Sequence, residues 1–142
     1  MIRLATIEDL NEVIEVVRRN MKDIGYFINQ GIIIESIKSK RLLICIDNKI
    51  VGICIFNIRK KDSKFIIYDI ITDKPYRGKG YGKELINYIK SNFKNDIQLK
   101  CPVDSISNIF YEKCNFKLFG TEKGKHRELN VWTYEQGNQI RL

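Results

Sequence analysis

The chain has one histidine, His126, and four cysteines, Cys45, Cys54, Cys101 and Cys114, with no CxxC pair among them. That spacing argues against a zinc site, and no metal is expected. Cys45, Cys54 and Cys101 lie in apolar runs and read as small buried hydrophobes, so no disulfide framework is implied and a reducing compartment is expected. Long apolar runs are missing too. The longest, Ile50 to Phe56, is far too short to span a bilayer, and the first ten residues carry Glu8 and Asp9 in place of a signal-peptide core. A soluble, cytoplasmic protein without a membrane partner is the expectation. Repeats, low-complexity tracts and linkers are absent, so residues 1–142 read as a single domain, with 44% hydrophobic residues to build its core.

What the chain has in excess is positive charge: 25 Lys and Arg against 17 Asp and Glu, a net +8. Such a balance suits an anionic partner, whether a polyphosphate, an acidic substrate or nucleic acid. It also follows from composition alone, because isoleucine and lysine are abundant throughout and the charge is spread out, not blocked. Aromatic residues are plentiful, yet no run alternates them with Lys or Arg as a nucleic-acid stacking platform would.

Periodicity gives the order of elements. Met1 to Ala5 reads as a strand. Thr6 with Asp9 three residues on resembles a capping box, and Leu10, Val13, Ile14 and Val17 follow at helical spacing. Gly25 and Gly31 interrupt the next stretch, in which Ile32 to Lys38 suits a short helix. Leu42–Ile46, Lys49–Ile58 and Lys64–Thr72 read as a three-stranded meander with Asp47-Asn48 as the first turn. The last of these is nearly continuous in apolar residues, as a central strand covered on both faces is. A glycine-rich turn, Gly78–Gly82, leads into a helix over Tyr81–Phe93. Ile97–Cys101 is a further strand, ended by Pro102. A helix capped by Asp104 or Ser105 carries Ile106, Ile109 and Phe110. Phe116–Gly120 and Leu129–Tyr134 close the chain as strands around a basic loop. This order predicts a mixed α/β sheet with helices on both faces.

The segment Asp73-Lys74-Pro75-Tyr76-Arg77-Gly78-Lys79-Gly80-Tyr81-Gly82-Lys83-Glu84-Leu85 joins the buried strand to a helix. Its glycines allow a tight turn and close approach of a ligand to the backbone. The helix start offers unpaired N–H groups and a positive dipole end, and Lys74, Arg77, Lys79 and Lys83 add charge. Together these suit a pyrophosphate. A P-loop lacks its hydroxyl here, because Glu84 follows Lys83, and the glycine spacing is GxGxG, not the GxGxxG of a dinucleotide fingerprint. The spacing Arg-x-x-Gly-x-Gly, from Arg77 to Gly82, instead resembles the coenzyme A loop of the Gcn5-related N-acetyltransferase (GNAT) family. The opening Ile2-Arg3-Leu4-Ala5-Thr6 and the later Asn108-Ile109-Phe110-Tyr111-Glu112-Lys113-Cys114-Asn115-Phe116 are similar to further family segments. Asn115 stands where the family commonly has glycine. Asparagine also tolerates the left-handed helix end.

The resemblance implies the acyl-CoA N-acyltransferase fold, with about six to seven strands, and an enzyme that moves the acetyl group of acetyl-coenzyme A (acetyl-CoA) to a primary amine by direct attack. It implies that the amides of Gly78, Lys79, Gly80, Tyr81 and Gly82, with Arg77 and Lys83, bind the pyrophosphate. The pantetheine arm would pair with the backbone of Ile70, Ile71 and Thr72, and Asn108 would lie at the cofactor. Tyr111 matches the family's usual general acid; packing of a buried aromatic is the other reading of that residue. For the base, Asp69 is the one carboxylate inside an apolar strand, where burial demands a partner or a task; an ion pair, a solvated strand face or a water chain would also serve. His126, in the polar loop Thr121 to Glu128, reads as a surface residue, with a place at the border of the acceptor site as the other reading. A CoA-binding sensor without turnover and a basic nucleic-acid module are the alternatives. The acceptor, small molecule or peptide, and the choice between monomer and homodimer are left open by the sequence.

Overall fold

The computed structural model describes residues 1–137. Seven strands and four α-helices follow the chain as β1 (Ile2–Leu4), α1 (Leu10–Ile24), α2 (Gln30–Lys38), β2 (Leu42–Asp47), β3 (Lys49–Ile58), β4 (Phe65–Thr72), α3 (Tyr81–Asn92), β5 (Ile97–Pro102), α4 (Ser107–Lys113), β6 (Lys117–Lys123) and β7 (Glu128–Tyr134). The strand order is β1-β2-β3-β4-β5-β7-β6, mostly antiparallel, with the β4–β5 step parallel. The residues group into two compact units, Met1–Phe56 with Asp69–Ile89, and Asn57–Tyr68 with the chain from Lys90 onward.

In the first unit, Asp9 accepts a hydrogen bond from the Thr6 N–H at 2.7 Å and grips Arg3 at 2.8 and 3.0 Å, so the expected capping pair forms and also ties β1 to the helix start. These bonds hold the Asp9 carboxyl down at about 2, with the Arg3 hydrogen bond the largest cause. α1 buries Val13, Val16, Val17 and Asn20, a stripe at helical spacing, and ends at Gly25 with φ +86°. The stripe packs with Ile33 and Ile37 of α2 against Leu42 and Ile44 of β2 and Ile50, Ile53 and Ile55 of β3. The opposite face of the same strands is covered as well. Cys45 pairs with Gly52, and a methyl at Gly52 would come within 3.2 Å of Leu85 Cδ1 on α3. Helices therefore lie on both faces of these strands, which is why Leu42 through Cys45 are all buried without alternation.

An irregularity in β3 supports the loop beyond β4. Cys45 pairs with Gly52 but Ile46 pairs with Ile50, so Val51 is an extra residue on β3, a β-bulge. The bulge frees the Val51 carbonyl, which accepts the Asp73 N–H at 2.9 Å.

In the second unit, β4 pairs with β5 at Phe65↔Ile97, Ile66↔Gln98 and Ile67↔Leu99. β5 continues against β7 from Ile97↔Tyr134 to Pro102↔Leu129, one residue beyond the sequence expectation, because Pro102 at a strand end needs no N–H. β6 also outruns its expected end at Gly120 and reaches Lys123, pairing there with Glu128. It carries its own bulge, with Phe119 extra between Leu118 and Gly120. Asn115 follows α4 with φ +69°, the left-handed turn expected of it.

The Gly52 contact gives a test. An alanine there pushes on Leu85 and on Cys45 Cβ at 3.3 Å. Gly52→Ala should lower stability by about 1–2 kcal/mol, an overpacking cost read from the urea midpoint.

Candidate active site

The candidate residues fall into two groups, one in each unit. In the first, the loop after β4 has a buried stem and an open tip. Asp73 is 1% exposed. Its carboxylate accepts from Arg19 Nη2 at 2.8 Å and Asn20 Nδ2 at 2.9 Å. Burial acts to raise its pKa, but the Arg19 and Asn20 hydrogen bonds outweigh it and the group lies below its ordinary value. Lys74–Tyr76 forms one 3-10 turn, with Pro75 inside it. Arg77 then folds back on the stem. Its Nε donates to the Thr72 carbonyl at 3.0 Å, Nη1 to Asp23 at 3.0 Å and Nη2 to Asn20 Oδ1 at 2.7 Å. The guanidinium thus fixes the loop against α1.

The tip is different. Gly78 and Gly80 have φ of +78° and +91°, values that side-chain-bearing residues resist, and a Cβ at either would meet no atom within 4 Å. The glycines answer to backbone conformation, and the space beside them is open. The Gly80 carbonyl accepts the Glu84 N–H at 2.9 Å and so opens α3. The N–H groups of Gly78, Lys79, Gly80, Tyr81, Gly82 and Lys83 have no acceptor among the described residues. The side chains of Lys74, Lys79 and Lys83 are exposed around them. Two ammonium groups lie over the Tyr76 ring, Lys49 at 5.1 Å and Lys79 at 5.6 Å from its centre. Tyr81 donates its hydroxyl to Asp47, which raises the Tyr81 pKa to about 12 and ties the start of α3 to the β2–β3 hairpin. Such a concentration of unpaired donors, helix dipole and cations fits a pyrophosphate.

Just before this stem, Ile71 turns its side chain into the core, while Ile70 and Thr72 are partly exposed. Asp69 is partly buried and has no hydrogen-bond or ionic partner among the described residues. Burial alone pushes its pKa up to about 6. The sequence left an ion pair, a solvated face or a task open, and no ion pair forms at Asp69 among the described residues.

In the second unit, Tyr111 on α4 is buried, its ring edge-on to Phe110 at 5.3 Å and to Phe116 at 6.1 Å. The apolar residues that the sequence puts on this helix are not all inward: Ile106 is 83% exposed and Ile109 54%. α4 is a short helix of Ser107–Lys113 with Ile106 only at its cap position, so the apolar pattern there does not mark a core face. Asn108 is a hub. Its Nδ2 donates to the carbonyls of Pro102 at 2.9 Å and Ser105 at 2.8 Å. Its Oδ1 accepts from Asn130 at 3.0 Å and from Trp132 Nε1 at 2.8 Å. That amide holds the start of α4 to β7 and has no bonding capacity to spare. His126 is exposed at the β6–β7 hairpin. Among the described residues, no three His, Cys, Asp or Glu side chains gather as metal ligands, and no helix is long and apolar enough to cross a membrane.

Sequence reasoning missed Arg19, Asn20, Asp23 and Asp73. The one available signal was Asn20, a polar residue at a core position of the α1 stripe.

A seven-stranded mixed sheet whose fourth strand leads through a glycine turn into a helix defines an acyltransferase-type fold. The model of the acetyltransferase (GNAT) domain matches residues 38–118, more than half the chain. The chain belongs to the GNAT family and is an acetyl-CoA-dependent N-acetyltransferase. No curated protein sequence matches it. Solved structures agree in fold. A GNAT-family acetyltransferase from Bacillus cereus superposes with a TM-score of 0.80 at 20% identity, covering 96% of each chain. The PaiA N-acetyltransferase from Thermoplasma acidophilum, crystallised with coenzyme A, gives 0.74 at 19%, over 94% of this chain and 98% of that one. The ribosomal-protein-S18-alanine N-acetyltransferase from Escherichia coli gives 0.75 at 13%, over 94% and 91%.

Asp69 supplies a pH test. A carboxyl raised from 3.8 to about 6 in the folded state binds its proton more tightly than in the unfolded chain. Stability is therefore highest below pH ~4 with respect to this group, and falls as pH rises through 6. Asp69→Asn should stabilise the protein at pH 7.5 by on the order of 2 kcal/mol, with the advantage vanishing near pH 4 in parallel urea titrations.

Proposed function

We propose that the amides from Gly78 to Lys83 hold the pyrophosphate of acetyl-CoA, that Asp69 takes the proton from a primary amine acceptor, and that Tyr111 returns one to the leaving sulfur. The observation that carries this reading is the row of unpaired N–H groups at the α3 start, beside two positive-φ glycines with open space around them. Arg77 serves by fixing the loop, and Lys74, Lys79 and Lys83 supply the field. The backbone of Ile70 to Thr72 receives the pantetheine arm, as the family resemblance implies. Asn108 contributes by holding α4, not through its own amide.

Acetyl-CoA brings an acyl group already activated as a thioester. The protein must supply a neutral amine. An alkylamine with a pKa near ~10 is mostly protonated at neutral pH, so a base is needed. Asp69 is ionised above about 6, lacks among the described residues a cation that would hold it as a spectator, and stands on the strand that leads to the phosphate loop. The leaving thiolate needs less help, since a thiol ionises near ~8.5. Four buried, free cysteines suit a reducing, cytoplasmic setting.

Two experiments test the assignment. Gly80→Val should abolish acetyl-CoA binding by calorimetry while circular dichroism stays native, because the side chain meets no protein atom but forces the turn out of φ +91°. Undiminished affinity in the folded variant would reduce the loop to a turn. Tyr111→Phe keeps the ring packing and should cost roughly tenfold to a hundredfold in turnover, the low end of general acid catalysis. A loss within about threefold, with chemistry rate-limiting, would return Tyr111 to packing. For the base, the wild-type rate should fall as pH drops through about 6, and Asp69→Asn should remove that limb along with most of the rate.

A further inference from the structure

Asn20 occupies the least expected position in the molecule. It continues the buried stripe of Val13, Val16 and Val17 on α1, and it is 0% exposed. An amide in such a place is costly unless its bonds are made. Here all of them are. Nδ2 donates to the Val16 carbonyl at 2.7 Å and to Asp73 Oδ1 at 2.9 Å. Oδ1 accepts the Lys74 N–H at 3.1 Å and Arg77 Nη2 at 2.7 Å. Two donors and two acceptors exhaust the group, and the donor and acceptor pattern fixes which way the amide points.

Three of those four bonds go to the stem of the phosphate loop, at Asp73, Lys74 and Arg77. Asp23, one turn further along α1, holds Arg77 at 3.0 Å. None of the residues at the open tip is bonded to α1. The stem is therefore rigid where the tip is free to present its amides, and a mispositioned donor row would lose affinity because each hydrogen bond is directional.

We infer that Asn20, with Asp23 acting through Arg77, is a positioning residue for cofactor binding: α1 sets the geometry of the phosphate loop without touching the ligand. The inference rests on the loop assignment of the proposed function and adds a determinant outside it. A leucine at position 20 would serve the core as well and would leave the stem unfixed.

The test measures the dissociation constant of coenzyme A by calorimetry, well below each variant's melting temperature. Asn20→Ala should weaken binding at least tenfold. Val17→Ala, an equally buried truncation on the same helix face without a bond to the loop, should stay within twofold despite its own loss of stability. Asp23→Ala separates positioning from charge. Removing a carboxylate near a polyanion site strengthens binding if only the field matters. Loss of the Arg77 anchor weakens it, and about threefold weaker binding is expected. If Asn20→Ala does not fold, the sign of the Asp23→Ala effect decides. Affinity of folded Asn20→Ala within twofold of wild type, equal weakening by Val17→Ala, or tighter binding by Asp23→Ala each overturns the inference. Gly80→Val keeps the two claims apart. If it binds normally, the loop assignment falls and takes this inference with it. If it loses affinity while Asn20→Ala does not, only the positioning role falls.

Discussion

A carboxylate taken out of water sets the terms for the first unit of this protein. Asp73 is tolerated in the interior only because Arg19 and Asn20 meet its side chain and the bulge at Val51 meets its N–H. These partners come from different elements: α1 and β3 converge on the residue where β4 ends. Breaking the set would leave a charge buried without compensation, which costs far more than an ordinary hydrogen bond. The end of β4 is therefore the most firmly determined point of the loop, and it lies shortly before the glycines.

Asp69 and Asp73, four residues apart, show how environment divides one chemistry into two. Asp73 is given partners and stays ionised as a structural anion. Asp69 is given burial and, among the described residues, no partner, so its proton affinity rises toward the range where a base is useful. An unpartnered carboxylate weakens the fold at neutral pH. On the role of base proposed above, that cost is the expense of a reactive group, and the neutral substitution is expected to stabilise the protein while disabling it.

Much of this was legible in the sequence. The order of elements, the Arg77-to-Gly82 spacing and the left-handed turn at Asn115 all follow from local rules: periodicity, glycine chemistry and helix ends. Asp69 stood out because a lone carboxylate conflicts with its apolar neighbours. The rest depended on contacts between residues distant in sequence. Nothing local announces that Val51 is a bulge, since an extra residue in a strand looks like any other valine. Arg77 reads as a ligand cation from its motif, and only the fold shows it bonded to residues more than fifty positions away. Asn108 likewise reads as a ligand residue until Asn130 and Trp132 are seen to fill its carbonyl oxygen. Ile106 misled because an apolar residue beside a short helix has no obligation to face inward.

The second bulge, at Phe119, concerns how copies of the chain behave when crowded together. β6 ends the strand order, with its outer row of N–H and C=O groups uncovered among the described residues. A flat edge of that kind is a template on which a second molecule's strand can grow. The extra residue breaks the row in mid-strand and increases its local twist, so a regular neighbour cannot pair along its whole length. Lys117 and Lys123 bracket the same stretch with like charge. A broken, charged edge of this kind disfavours sheet-to-sheet pairing, and straightening β6 by deleting Phe119 is expected to weaken that protection.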